Sequence, residues 1–169
     1  MILETERLIL RPFREGDIDA YAGMSADPEV MEFLSADGSL LSRADAWRQM
    51  SMFLGHWALR GYGTWAVEER ETGLFVGRIG LHYPEGWPDR ELGWTIARKF
   101  WGRGLATEGA RAAMKHAFDT LGWSHVVSLI HRDNHRSIRV AERLGERVHG
   151  VAEVRGLHLT MYRADTTQV

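Results

Sequence analysis

The chain has no cysteine among its 169 residues, which excludes disulfides, thiolate metal sites and any covalent cysteine intermediate. An excess of one charge is missing too: 21 Lys+Arg oppose 23 Asp+Glu, a formal net charge of −2. Modules that bind polyanions carry a basic excess, so this balance argues against a nucleic-acid partner. No apolar run approaches the ~18 residues of a membrane span. The opening Met1-Ile2-Leu3-Glu4-Thr5-Glu6-Arg7 is acidic where a secretory signal needs basic residues and then an apolar stretch. These absences point to a cytoplasmic protein with no membrane partner. Only four prolines occur, Pro12, Pro28, Pro84 and Pro88, all between or at the edges of patterned segments. No linker, repeat or low-complexity tract interrupts residues 1–169, which read as a single domain with enough length for a core of its own.

The pattern alternates between strand and helix periods. Leu8 to Phe13 reads as a strand, followed by short helices over Asp17–Met24 and Pro28–Leu34, the second with proline at its first position. Ser42–Leu59 reads as a longer helix whose Trp47, Met50, Leu54 and Trp57 form one apolar stripe facing a core. Strands are expected at Thr64–Glu68 and Phe75–Tyr83, around a turn at Glu71-Thr72-Gly73, and at Glu91–Ala97 after the Pro84–Asp89 loop. A long helix starting at Leu105, with Gly122 as its C-cap, leads to a buried strand at Val126–Ile130. A helix over Asn134–Leu144 and strands around Val148–Val154 and His158–Tyr162 complete the chain. Glu91–Ala97, the long helix and Val126–Ile130 make a βαβ unit, so those two strands should be parallel.

Trp101-Gly102-Arg103-Gly104-Leu105-Ala106-Thr107-Glu108 joins a strand to that long helix. A helix start carries unpaired N–H groups and partial positive charge, and glycines let the backbone approach a phosphate or pyrophosphate. Arg103 could add charge at the rim. The other reading is a loop whose glycines serve only the turn. A P-loop is excluded because Leu105-Ala106, not Lys and Ser/Thr, follow Gly104, and the dinucleotide fingerprint fails because Thr107 occupies its third glycine position.

This segment resembles the acyl-CoA-binding segment of the GNAT superfamily of N-acetyltransferases, whose pattern is Gln/Arg-x-x-Gly-x-Gly/Ala. Gly104 and Ala106 match its last two positions, and Trp101 stands at the first, as in the branch that resembles ribosomal-protein N-terminal acetyltransferases. Three more segments agree in order with that branch: Leu3–Pro12, Glu91-Leu92-Gly93-Trp94, and the Asn-x-x-Ser helix from Asn134 to Gly145. The resemblance implies a mixed α/β, GNAT-like fold, with a central, mostly antiparallel mixed sheet. In it the fourth and fifth strands form a parallel splayed pair, and helices flank the sheet.

It also implies acetyl-CoA as cosubstrate, with pantetheine on the backbone near Thr95 and Ile96. Pyrophosphate would sit on N–H groups from Arg103 to Thr107, within a binding segment of Trp101, Gly102, Arg103, Gly104, Leu105, Ala106 and Thr107. Asn134 and Ser137 are implied near the pantetheine, with the Ser137 hydroxyl protonating the departing thiolate; as plain helix residues they would be an N-cap and a first-turn position. An amine is mostly ammonium at neutral pH and must lose a proton before attack, and the developing oxyanion needs donors. Glu91 is the candidate base, with His82, His131 and Glu153 as rivals; its other reading is a solvent-facing strand end. Trp47, Trp57 and Trp65 read as core, whereas Trp87 could line an acceptor pocket. No metal site is expected. The leading expectation is direct acetyl transfer to a primary amine, either a small molecule or a protein N-terminus. An acyl-CoA-binding sensor without catalysis and a nucleotide-binding protein are the alternatives. A strand edge near the C-terminus leaves a homodimer open.

Overall fold

The computed structural model describes residues 1–166. Its elements are β1 (Leu3–Glu4), β2 (Leu8–Arg11), α1 (Ile18–Ser25), α2 (Pro28–Met31), α3 (Arg43–Arg60), β3 (Thr64–Glu69), β4 (Phe75–His82) and β5 (Glu91–Ile96), then α4 (Leu105–Asp119), β6 (His125–Ile130), α5 (His135–Arg143), β7 (Arg147–Val154) and β8 (Leu157–Asp165). The strands form one sheet in the order β1-β2-β3-β4-β5-β6-β8-β7. Neighbours are antiparallel except β5 and β6, which are parallel across the α4 crossover. This is the expected mixed α/β fold. The two-residue β1 shifts the count, so the expected fourth and fifth strands are β5 and β6.

Local chemistry sets the helix ends. The Ser42 hydroxyl accepts the Asp45 N–H at 3.1 Å to start α3, and Gly61, at φ 75°, ends it. Gly122, at φ 66°, turns the chain after α4 so that the Trp123 N–H donates to the Ala117 carbonyl at 3.0 Å. The α4 helix lies close to the sheet because Gly109 is bare; a Cβ there would come within 2.5 Å of Ile79 Cδ1. Leu105, Ala110, Ala113, Met114 and Ala117 then bury against Leu8, Leu10, Trp65 and Ile79.

The apolar stripe expected on α3 is displaced around the helix. Trp47 is 55% exposed and Leu54 42% exposed, while Ala46, Met50, Phe53 and His56 face inward. Trp47 is therefore not core. Trp57 keeps its inner position through an indole N–H donated to the Thr64 carbonyl at 3.0 Å, and Trp65 is fully buried.

The site is created where β5 and β6 part. Glu91 opposite Val127 is the one register pair of their ladder among the described residues. Beyond it, a side chain replaces the backbone bond: Ser128 Oγ lies 2.8 Å from the Leu92 carbonyl and 3.0 Å from Glu146 Oε1. The hydroxyl has one proton, and the carbonyl can only accept it. A neutral Glu146 can donate to Ser128 and leave the hydroxyl proton to the Leu92 carbonyl. Burial indeed pushes the Glu146 carboxyl, which is fully buried, up to about 8.

A carboxyl raised on folding stabilises fully below its unfolded value of 4.5, and that contribution is lost as pH rises towards about 8. The slope is roughly 1.4 kcal/mol per pH unit. Glu146→Gln keeps an N–H donor for Ser128 and removes the loss. The variant is expected to melt several degrees above the parent at pH 8 and level with it near pH 4.5; equal melting at pH 8 would contradict a neutral Glu146.

Candidate active site

A cleft of about 380 Å3 opens between the parted strands and the N-terminus of α4. It is lined by Trp94, Thr95 and Ile96 of β5, by Trp101, Gly102 and Gly104 to Thr107 of the turn and α4, and by Asn134 and Ser137 of the turn into α5. Gly102 and Gly104 hold φ of 76° and 78°, a region that favours glycine. Gly104 is the N-cap and offers no side-chain oxygen, so the first N–H groups of α4 lack a side-chain partner. A Cβ on Gly102 would meet nothing within 4 Å, so the space above the turn is open.

Two clamps fix the turn. The Arg7 guanidinium donates to the Arg103 carbonyl at 2.9 Å and to Glu108 at 2.7 Å. Glu108 also accepts from the Arg7 N–H at 2.9 Å and from the Thr5 hydroxyl at 2.6 Å. The second clamp is Arg103 itself, whose side chain pairs with Glu69. The Arg103 guanidinium is thus turned away from the rim where its charge was expected, and only its backbone is placed at the cradle. The cations that line the cleft are Arg136, Arg139 and Arg143 of α5, with Arg136 4.0 Å above the Trp101 ring. Sequence reasoning missed them, although their spacing of three and four puts them on one helical face.

The remaining side chains are held by hydrogen bonds. Trp101 donates its indole N–H to the Ile96 carbonyl at 2.7 Å. Asn134 Oδ1 accepts the Ser137 N–H at 3.2 Å, so Asn134 is the N-cap of α5 while still lining the cleft. The Trp94 indole N–H donates to Ser137 Oγ at 3.3 Å, leaving the hydroxyl proton free to be donated elsewhere. Thr95 Oγ1 is buried and has no partner among the described residues.

A second cavity, of about 490 Å3, lies on the other side of β5 under α1, α3 and the β7–β8 hairpin. A passage of about 80 Å3, lined by Glu91, Gly93, Thr95, Asn134 and Ser137, lies between the two. Glu91 is half-buried here and accepts the Trp87 indole N–H at 2.7 Å, so the solvent-facing reading is wrong. Burial pushes its carboxyl up to about 7, against the Trp87 N–H, the Leu129 N–H and the charges of Arg78 and Arg155. Trp87 also lines the second cavity.

The rival bases fare differently. His82 lines the second cavity, but burial and the charges of Arg78, His56 and Arg155 push it down to about 3, too weak to take a proton from an ammonium. His131 stacks on Phe33 with centroids 5.2 Å apart. Glu153 pairs with His158 at 3.8 Å on the outer hairpin and lines none of these cavities.

Comparisons with known proteins bear on the family and the fold. The sequence pattern of the acetyltransferase (GNAT) domain matches residues 7–147. The crystal structure of an acetyltransferase from Agrobacterium tumefaciens str. C58 matches with a TM-score of 0.87 at 32% identity, over 98% of this chain and 95% of that one. YkkB of Bacillus subtilis (strain 168) is 33% identical over 150 residues, 85% of this chain and 83% of that protein. RimL, a ribosomal-protein acetyltransferase solved in complex with coenzyme A, shares the fold with a TM-score of 0.81 at 19% identity, over 98% of each chain. Fold and comparisons together define an acyltransferase. Within that class the chain belongs to the GNAT family of acetyltransferases, which use acetyl-CoA.

Glu108 ties three donors of the N-terminal segment to the first turn of α4. Glu108→Ala is expected to speed amide hydrogen exchange over residues 103–107 by about tenfold or more, as an opening equilibrium shifted by about 1.4 kcal/mol would. Exchange there at the parental rate would show that the turn holds its shape without the clamp.

Proposed function

We propose that the protein transfers an acetyl group from acetyl-CoA to a primary amine by direct attack in a ternary complex. The observation that carries this reading is the pair of cavities meeting at one narrow passage. One has a helix N-terminus for an anion, the other a raised carboxyl for an amine, and the passage is lined by both Glu91 and Ser137.

The residues present fit acetyl-CoA. The uncapped N–H groups from Arg103 to Thr107 suit a pyrophosphate, with Arg136, Arg139 and Arg143 adding positive charge. Backbone groups of Thr95 and Ile96, the unpartnered Thr95 Oγ1 and the Asn134 amide suit the polar groups of pantetheine. The bound group supplies the thioester. Glu91, with a carboxyl near 7, takes a proton from the ammonium at physiological pH. Ser137, whose oxygen is already satisfied by Trp94, gives its proton towards the departing sulfur. No group of three or more His, Asp or Glu side chains is placed to hold a metal among the described residues. Among them, too, no helix is long and apolar enough to cross a membrane.

Thermal unfolding with acetyl-CoA, with ATP and NAD as controls, tests the cofactor. A ligand at ~100 times its Kd adds about 2.7 kcal/mol, a rise of several degrees seen with acetyl-CoA alone. The absence of a rise at millimolar acetyl-CoA would refute the reading.

Glu91→Gln is expected to keep that rise and to lose roughly 100-fold or more in kcat. An unchanged kcat would remove Glu91 from the mechanism and favour a non-catalytic or differently catalysed role. The parental rate should climb with pH through an apparent pKa near 7. Because the Trp87 N–H favours the carboxylate, Trp87→Phe should move that limb to higher pH; a limb left in place would mean that another group sets it.

A further inference from the structure

The floor of the second cavity is a patch of β4 and β5 in which Arg78 opposes Thr95, Gly80 opposes Gly93 and His82 opposes Glu91. Paired residues project from the same face of a sheet, so all six belong to one surface. The middle pair is bare. A Cβ built on Gly93 would lie 3.7 Å from Glu91 Oε1, so the carboxylate leans over the glycine into an open floor.

The charges on this floor are unbalanced. Arg78 is half-buried, and among the described residues it forms no ion pair; its guanidinium lies 5.4 Å from the Phe53 ring centroid and is met by the neutral Tyr21 hydroxyl. Arg11, buried a short way off, shows how this fold treats a resident arginine: two bonds of 2.8 Å to Asp17 and one of 2.8 Å to Glu68. Arg155 also forms no ion pair among the described residues. It stands at the tip of the β7–β8 hairpin, 5.5 Å from the Trp87 centroid, in a left-handed conformation (φ 50°) that is costly for a side chain of its size. The cavity's other acid, Asp37, is turned to the Ser39 N–H at 3.0 Å. Glu91 faces two arginines across this floor, so one partly desolvated positive charge is left unmatched, and a ligand's anion would relieve it.

We propose that the amine acceptor carries an anionic group, a carboxylate or phosphate, within a few bonds of its nitrogen, and that Arg78 binds this group while Arg155 guards the mouth. The proposal rests on the acetyltransferase reading above and names the substrate class for it. The passage that Arg78 shares with Glu91 measures about 80 Å3, the share of about three water molecules. Both residues also floor the larger cavity, and the narrow passage they share favours an acceptor whose amine and anion lie close together, as in an α-amino acid or an aminoalkyl phosphate. The reaction balances as an ammonium plus a thioester giving an amide, a thiol and one proton. The N–C bond forms and the C–S bond breaks; nitrogen loses two protons, one to Glu91 and one that replaces the proton Ser137 gives to sulfur. The acid on the substrate stays unchanged. A protein N-terminus, whose α-carboxyl is consumed in a peptide bond, lacks this handle.

The test is thiol release from acetyl-CoA with matched amines: α-amino acids against their decarboxylated counterparts, and phosphoethanolamine against ethanolamine. The anionic member of at least one set is expected to be favoured about tenfold or more in kcat/KM, and the set that shows it identifies carboxylate or phosphate. Arg78→Gln should bring that ratio close to one, chiefly through KM, and Arg78→Lys should restore part of it, while both variants keep the thermal shift with acetyl-CoA. A preference for neutral or polycationic amines, thiol release with none of the anionic ones, or a ratio unchanged in Arg78→Gln overturns the inference. If acetyl-CoA still raises the melting temperature in those cases, the acetyltransferase reading stands. If acetyl-CoA gives neither a shift nor thiol release, both fall together.

Discussion

The parting of β5 and β6 is the constraint on which the rest of the site depends. A sheet interior normally pairs every N–H and carbonyl, and unpaired buried groups are costly. Here the ladder is abandoned after Glu91 and Val127, in the middle of the molecule. The fold compensates piecemeal. Ser128 supplies a hydroxyl to the Leu92 carbonyl, Trp101 its indole N–H to the Ile96 carbonyl, and Glu146 stays neutral to complete the first bridge. What these substitutes leave unpaired is the binding capacity of the cleft. The orphaned Thr95 hydroxyl is the plainest example.

Around that opening the charges are segregated by side of the sheet. The cleft side collects a helix N-terminus and the arginines of α5, a field for an anion. The other side holds Glu91 in partial burial, at a protonation balance set by desolvation against the Trp87 donor and nearby arginines. Burial and the same arginines hold His82 neutral, so His82 and Glu91 are pushed in opposite directions from their ordinary values. In the proposed mechanism, Glu91 as a base poised near neutrality next to a positively charged floor suits a substrate that brings both signs of charge.

Much of this was legible in the sequence because it is local. The Gly102-Arg103-Gly104 turn, the proline at the start of α2, the Ser42 cap and the four-residue apolar repeat of α4 each state their structure within a few residues. The parallel pairing of β5 and β6 follows from them. What was not legible depends on distant partners. Trp47, Met50, Leu54 and Trp57 satisfy a helical stripe as well as Ala46, Met50, Phe53 and His56 do; the second set is the one that faces inward, with Ala46, Met50 and Phe53 packed in the cluster of Phe13, Tyr21 and Met24. Arg103 looks like a rim charge until Glu69 is folded next to it. The roles of Thr5 and Arg7 rest on Glu108, about a hundred residues on. Glu146, which follows a helix-ending glycine, gives no local sign of being buried and neutral.

The most direct test of the account is a crystal structure of the protein with coenzyme A. Pantetheine lying between β5 and β6, pyrophosphate on the N–H groups from Arg103 to Thr107, and sulfur within reach of Ser137 is the predicted result. Coenzyme A bound elsewhere, or β5 and β6 zipped together with the ligand outside, would contradict the claim that the broken ladder exists to hold the acyl donor.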